Sequence, residues 1–266
     1  MDLLIGTFVL RPYVFGFLAA FLVAGKLDLG VRRTLLFASW VGPLAWLAEF
    51  ASTRIGIPFG LYHYTGTTRG QELFIADVPF MDCLSFTFLA YSAFCLARVA
   101  LAGRRVPAPL LALTSGVLMM LLDVVIDPIA VRGDRWFLGR VFFYPDGGVY
   151  FGVPLSNFAG WVVVGTLGVG GFCFWSGWRE AGLRRGWLGR GGRGTDTPVQ
   201  PARQGLPWPG VALYYAVFGF NLAVTAWIGE WVLLMVGATV HLATALVLWS
   251  VSQRPAEGLG LEKLQA

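Results

Sequence analysis

Apolar runs recur along the chain, each about 20 residues long, which is the length an α-helix needs to cross the hydrocarbon core of a bilayer. They fall near 8–25, 34–53, 78–99, 108–129, 154–176, 209–228 and 231–250. This repeat limits the fold more than any other feature. It predicts an all-α, polytopic transmembrane helix bundle of about seven spans, with residues 1–266 as a single integral-membrane domain. Charged residues make up only 13% of the chain, against about 25% in soluble domains. Arg11-Pro12 interrupts the first run, and only a tight turn at Gly229-Glu230 separates the last two.

The net charge is +5, but the arginines sit between apolar runs. That placement sets membrane topology and does not build a phosphate-binding face, so no nucleic-acid partner is expected. With the N-terminus outside, the inner loops and C-terminal tail hold fourteen lysines and arginines and the outer segments hold six. The bias predicts an outside N-terminus and a cytoplasmic C-terminus. The opening Met1-Asp2 lacks a basic region and a small-residue cleavage site, so no removable signal peptide is expected. Residues 177–208, with "GRGGRGTDTPVQPARQG" at their centre, read as a cytoplasmic Gly/Pro/Arg-rich linker.

On this topology the acids gather at one depth. Glu49 lies at the outer end of the second span, Asp82 at the outer start of the third, and Asp123 and Asp127 in the outer third of the fourth. Asn157 opens the fifth span. His63, Tyr62, Tyr64, Trp136 and Tyr150 lie in the two loops on that side. One polar pocket opening outward is therefore expected. Asp123 and Asp127 are four residues apart and share a helix face, about 6 Å apart along the axis. Two carboxyls so close in apolar surroundings resist double ionisation, so one should hold a proton. Pro128 predicts a helix end beside Asp127, where the dipole disfavours an anion, and Glu49 has the same placement. Asp82 begins a helix, where the dipole favours the anion. The pattern predicts protonated acids facing an ionised one, as acid–base chemistry requires.

Structural readings compete with this one. Arg54 follows Glu49, and Arg132 and Arg135 follow Asp127, so simple ion pairing is available. Trp136, Tyr150 and Trp161 fit an aromatic belt, and His63 fits an interfacial hydrogen bond. Weighed as a set, the acids favour function, because charge within lipid is costly. Cys83, Cys95 and Cys173 stand alone in apolar runs and are expected to pack as small hydrophobes, with no metal site. Gly168, Gly170 and Gly171 lie inside a span and point to close helix packing, and His241 points to a packing contact. "VPFMD" and "VPLSN" each place a polar residue, Asp82 or Asn157, three positions after a proline. Proline commonly starts helices, so the echo is either coincidence or a duplicated hairpin, which would set the second and third spans and the fourth and fifth around one site.

Three stretches, "IGIPFGLYHYTG" (55–66), "DVVIDPIA" (123–130) with Trp136 after it, and "YFGVPLSNFAGW" (150–161), resemble the membrane carotenoid-biosynthesis protein family, which includes carotenoid C-1′,2′ hydratases. The resemblance covers about 40–165 by motif and the other spans by hydropathy. It carries over onto Glu49, Tyr62, Tyr64, Asp123, Asp127, Trp136, Tyr150, Asn157 and Trp161. Asp82 comes from the reading of the residues alone.

The resemblance implies a multi-pass enzyme that adds water to the terminal double bond of an acyclic carotenoid, without redox change and without a cofactor. The sequence offers no Rossmann loop, metal set or haem motif. Such chemistry needs an acid to protonate C2′, aromatic faces toward the tertiary cation at C1′, and a base to direct water. Asp127, Asp123, Glu49 and Asp82 are the catalytic candidates; Tyr62, His63, Tyr64, Trp136, Tyr150, Asn157 and Trp161 are the substrate-binding ones. The partners implied are a long acyclic carotenoid entering laterally, membrane lipid, and other enzymes of carotenoid synthesis. A lycopene cyclase-type isomerase shares the first protonation, but no Pro-x-Glu-Glu/Gln motif is present. A proton-coupled transporter or carotenoid-binding protein is the reading from another class; the scarcity of polar groups in the inner half argues against transport.

Overall fold

The computed structural model describes residues 2–102, 104, 106–133, 135, 138–178 and 207–253. Trp136 and nearly all of the 177–208 linker lie outside the described residues. Eight helices follow in order: α1 (Leu3–Leu10), α2 (Pro12–Asp28), α3 (Val31–Ile55), α4 (Phe80–Ala100), α5 (Ala108–Ala130), α6 (Leu155–Trp175), α7 (Trp208–Trp227) and α8 (Trp231–Gln253). Helices α3 to α8 are each long and apolar enough to span a membrane. The all-α polytopic bundle is as expected, with one correction. The first run is no continuous helix: α1 and α2 meet at 88° across Arg11. Arg11 leaves the helical region (φ −129°, ψ 53°), and Pro12 has no N–H with which to continue α1.

Helix α4 forms the axis of the bundle. Its apolar window is 83% buried, against 17% for the peripheral α8. Tyr91 and Phe94 of α4 pack with Phe21 of α2, Phe37 of α3 and Phe172 of α6 in a tight aromatic knot. Leu22, Leu35, Leu167, Leu242 and Val247 point outward, where lipid replaces the water that would make such a surface untenable. All three cysteines are buried.

Glycines let α5, α6 and α3 approach each other. A Cβ on Gly116 of α5 would lie 2.5 Å from the Val162 carbonyl oxygen of α6, and one on Gly165 would lie 2.8 Å from Gly116 Cα. One on Gly171 would strike the Trp40 ring of α3 at 2.3 Å, whereas Gly168 has ordinary room beside Val41. The expected close packing thus rests on Gly116, Gly165 and Gly171 more than on Gly168 or Gly170.

Two loops close one end of the bundle. Strand β1 (His63–Tyr64) pairs antiparallel with β4 (Phe142–Phe143), His63 opposite Phe143. Strands β2 (Phe74–Ile75) and β3 (Val78–Pro79) form a hairpin turning at Ala76 and Asp77, both at positive φ. Asp77 is held by Arg69 and, at 3.6 Å, by Arg54. Arg54 therefore serves the hairpin and not Glu49. Arg132 and Arg135 pair with Glu230 at 3.1 and 3.0 Å and leave Asp127 without an arginine.

Helix α5 passes Pro128 and ends at Ala130, two residues beyond the expected stop. Proline cannot donate to the Val124 carbonyl one turn back; the Tyr150 phenol donates to it instead, at 3.3 Å. At the opposite end of the bundle, Asp28 accepts from Arg98 at 2.6 Å with both side chains buried, so that half is less empty of polar groups than the sequence reading held.

Replacing Gly116 by alanine should destabilise the bundle by about 1–3 kcal/mol through overpacking against α6 backbone, while Gly168→Ala changes little. Thermal unfolding in detergent compares the two; equal melting temperatures would remove the glycine contact as the reason α5 and α6 lie so close. Arg11→Gln leaves Glu72 and Asp82 without their cation inside the protein and should cost about 3–5 kcal/mol, read in the same assay.

Candidate active site

The polar residues at the looped end of the bundle are placed by helix termini. Asp82 stands in the first turn of α4, three residues after Pro79, and Asn157 in the first turn of α6, three after Pro154. Asp123 and Asp127 stack one turn apart on α5. Glu49 sits near the end of α3, which Gly56 terminates in the left-handed conformation at φ 75°. The chain then doubles back, Phe59 N–H donating to Ser52 Oγ at 3.0 Å. The doubling back aims Tyr62 and Tyr64 at Glu49.

Three hydrogen-bonded groups result. In the first, the Asn157 side-chain nitrogen donates to Asp123 Oδ2 at 2.7 Å and to Asp127 Oδ2 at 2.8 Å. Trp161 Nε1 donates to the same Asp127 oxygen at 3.4 Å. Asp123 is fully buried, and its Oδ1 has no other donor. The two carboxyls thus converge on one nitrogen. In the second group, the phenols of Tyr62 and Tyr64 both donate to Glu49 Oε2, Tyr64 at 2.8 Å. Burial, and then the adjacent Glu49, push the Tyr64 phenol well above its ordinary range, so it stays a donor. In the third, Arg11 lies between two acids. Its Nε and Nη2 grip Glu72 at 2.8 and 2.9 Å, and its Nη1 reaches Asp82.

All three groups border one cavity of about 150 Å³. Glu49, Asp82, Asp127, Tyr62, Tyr64, Asn157 and Trp161 line it. Asp123 does not; it stands behind Asn157 and Asp127. His63 is exposed and packs beside Phe143, Tyr150 is engaged with the α5 backbone, and neither borders the cavity. Trp136 lies outside the described residues. Sequence reading overlooked Arg11 as a site residue, together with Glu72, Tyr144, Phe86 and Asn221. The interruption at Arg11 was the available signal, because a guanidinium within an apolar run demands buried acids.

The aromatic wall is formed by Trp161 stacked on Phe86, centroids 4.5 Å apart and planes 16° apart, with Phe59 beside both rings at 6.2 and 5.8 Å. Burial and Asp127 raise the Tyr144 phenol, which keeps it protonated as well. A cavity of this size accepts a group of about six carbons, such as benzene, and not a long chain. Among the described residues, no three of His, Cys, Asp or Glu are grouped to hold a metal ion.

Residues 6–244 match the model of a family described as carotenoid biosynthesis protein. The chain is also 34% identical over 182 residues to the bisanhydrobacterioruberin hydratase of Haloarcula japonica; the alignment covers 68% of this chain and 56% of that relative. The chain thus matches little more than half the length of that protein. No solved structure matches. With nearly its whole length matched, and with its apolar helices carrying a polar, aromatic-walled cavity at one end, the chain belongs to the carotenoid biosynthesis protein family of multi-pass membrane proteins.

Proposed function

We propose that the protein is a carotenoid 1,2-hydratase. The observation that carries this reading is the carboxyl pair Asp123/Asp127, held by one Asn157 nitrogen, on the same wall as the stacked Trp161–Phe86 rings. Two carboxyls that converge on one buried nitrogen resist double ionisation, so one of them holds a proton. The pair has two donors for two acids, the Asn157 nitrogen and, at 3.4 Å, the Trp161 indole, whereas Asp82 has the Arg11 guanidinium. On this reading the aspartate pair holds the proton and Asp82 the negative charge, with Glu49, held by two phenols, as the next candidate acid.

Asp127 faces the cavity and is the general acid; Asp123, behind it, holds and positions the shared proton. Protonation of C2′ of the terminal double bond leaves a tertiary cation at C1′. Trp161 and Phe86 offer it their π faces. A water oriented by Asp82 adds to C1′ and gives up its proton to that carboxylate. The product is a tertiary alcohol, substrate plus one water, and the proton returns to Asp127 through the cavity. The looped end is proposed to face outward, with the C-terminus cytoplasmic.

Asp127→Asn should lower turnover by about 10²–10⁴-fold. Asp123→Asn should lower it less, because it leaves a carboxyl on the cavity wall. Both are measured at matched expression in a lycopene-producing host, where wild type yields a pigment heavier by one water. A cyclic product of unchanged mass would point to a cyclase, and wild-type turnover by both variants would make the aspartates structural. Reporter fusions at the 130–153 loop should report an outside location; a cytoplasmic signal there would invert the proposed topology.

A further inference from the structure

The polar pocket continues into an apolar arm whose walls come from three helices. Phe17 of α2, Phe88 and Leu89 of α4, and Val217 of α7 border the cavity together with the acids. At 1.5 Å per residue, Leu89 lies about 10 Å deeper along α4 than Asp82, so the arm descends toward the middle of the bundle. Its outer boundary is a seam of rings. Tyr13 of α2 stacks on Phe220 of α7, centroids 5.1 Å and planes 18° apart; Phe220 also meets Phe17 at 5.7 Å, and Phe17 meets Phe88 at 5.6 Å. Tyr13, Phe17 and Phe220 are all only half-buried. Beside them on the same two helices, Gly16 and Gly219 are exposed, and a Cβ on either would meet nothing within 4 Å. Among the described residues the seam is closed by side chains, with open space beside it at Gly16 and Gly219.

We propose that a linear polyene enters from the bilayer between α2 and α7 and lies along Phe17, Phe88 and Val217, with the Tyr13–Phe220 stack as its gate. The occupant follows from the dimensions: a cavity of about 150 Å³, its apolar arm included, holds only the end of a long chain, and the rest of that chain lies beyond the seam. Flat rings suit a conjugated chain, which stacks on them as aromatic rings do on one another. The polyene as occupant rests on the hydratase reading; the route does not depend on what happens to the chain's end. The chain stays in lipid-like surroundings throughout, and only its terminus meets the acids.

The test uses the full chain in detergent, with lycopene as the probe. Val217→Phe and Phe17→Trp, which narrow the arm, should cut the pigment retained through size exclusion about tenfold, as overpacking of a fitted site does. Leu242→Phe, on the exposed face of α8, should leave it unchanged. Val217→Cys adds no bulk, so it decides the matter if the larger residues disturb folding. Its labelling by maleimide should slow about tenfold when lycopene is bound, while Val23→Cys on the outer face of α2 is unaffected; the buried native cysteines give the background. The proposal is overturned if narrowed variants keep wild-type pigment, if Val217→Cys labels at one rate with and without lycopene, or if wild type retains no pigment. Pigment retention and protection without any alcohol product would keep the route and remove the hydratase reading.

Discussion

Two carboxyl groups share one carboxamide nitrogen inside an apolar bundle, and much of the architecture follows from the need to make that possible. Asn157 reaches Asp123 and Asp127 together only because α6 lies against α5 at glycine distance, Gly116 against Gly165 two to three turns below. A buried carboxyl without partners is costly. Here the partners come from the neighbouring helix, so the stability of the acid pair depends on the packing of that helix. Pro154 starts α6 at the height that brings Asn157 level with the pair. Farther up, the Val124 carbonyl freed by Pro128 finds the Tyr150 phenol, so α5 continues past the proline and keeps Asp127 on its helical face.

The site keeps its charges in separate compartments. Arg11 satisfies Glu72 and Asp82 on the α2 side, the phenols of Tyr62 and Tyr64 satisfy Glu49 on the α3 side, and among the described residues the aspartate pair on α5 has no cation of its own. A cation beside Asp127 would hold it as an anion and remove its capacity to donate. The arginines nearest in sequence, Arg132 and Arg135, are occupied by Glu230 in the α7–α8 turn. The ion pair at the far end, Asp28–Arg98, is roofed by the Phe94 and Trp178 rings. It has a cation for its acid, an arrangement that suits structure more than proton transfer.

Much of this was legible in the residues. Span length and the scarcity of charge define the bundle, and the shared depth of Glu49, Asp82, Asp127 and Asn157 anticipates their meeting at one cavity. What could not be read was direction. The sequence places Tyr150 and His63 in the right loops, but only the turn of the backbone decides that one serves a carbonyl and the other faces outward. The retreat of Asp123 behind Asp127 is likewise a matter of helix rotation, because residues one turn apart share a face without sharing a surface. Glu72 was missed for a different reason. It lies in a polar loop and looks like an ordinary solvated acid until Arg11, sixty-one positions away, folds onto it.

The right-angled break at Arg11 has a consequence for where the whole molecule sits. Helix α1 crosses the bundle axis instead of continuing it, and Leu3, Leu4, Ile5, Phe8 and Val9 are all exposed. A short apolar helix lying flat is at home in one layer only, where acyl chains meet headgroups. Arg11 joins this helix rigidly to the acids, so the boundary layer and the cavity are held in fixed register. On the reading proposed above, the bilayer surface becomes part of the site's geometry, and a substrate dissolved among the lipid chains presents its end at the height of the acids without having to leave the membrane.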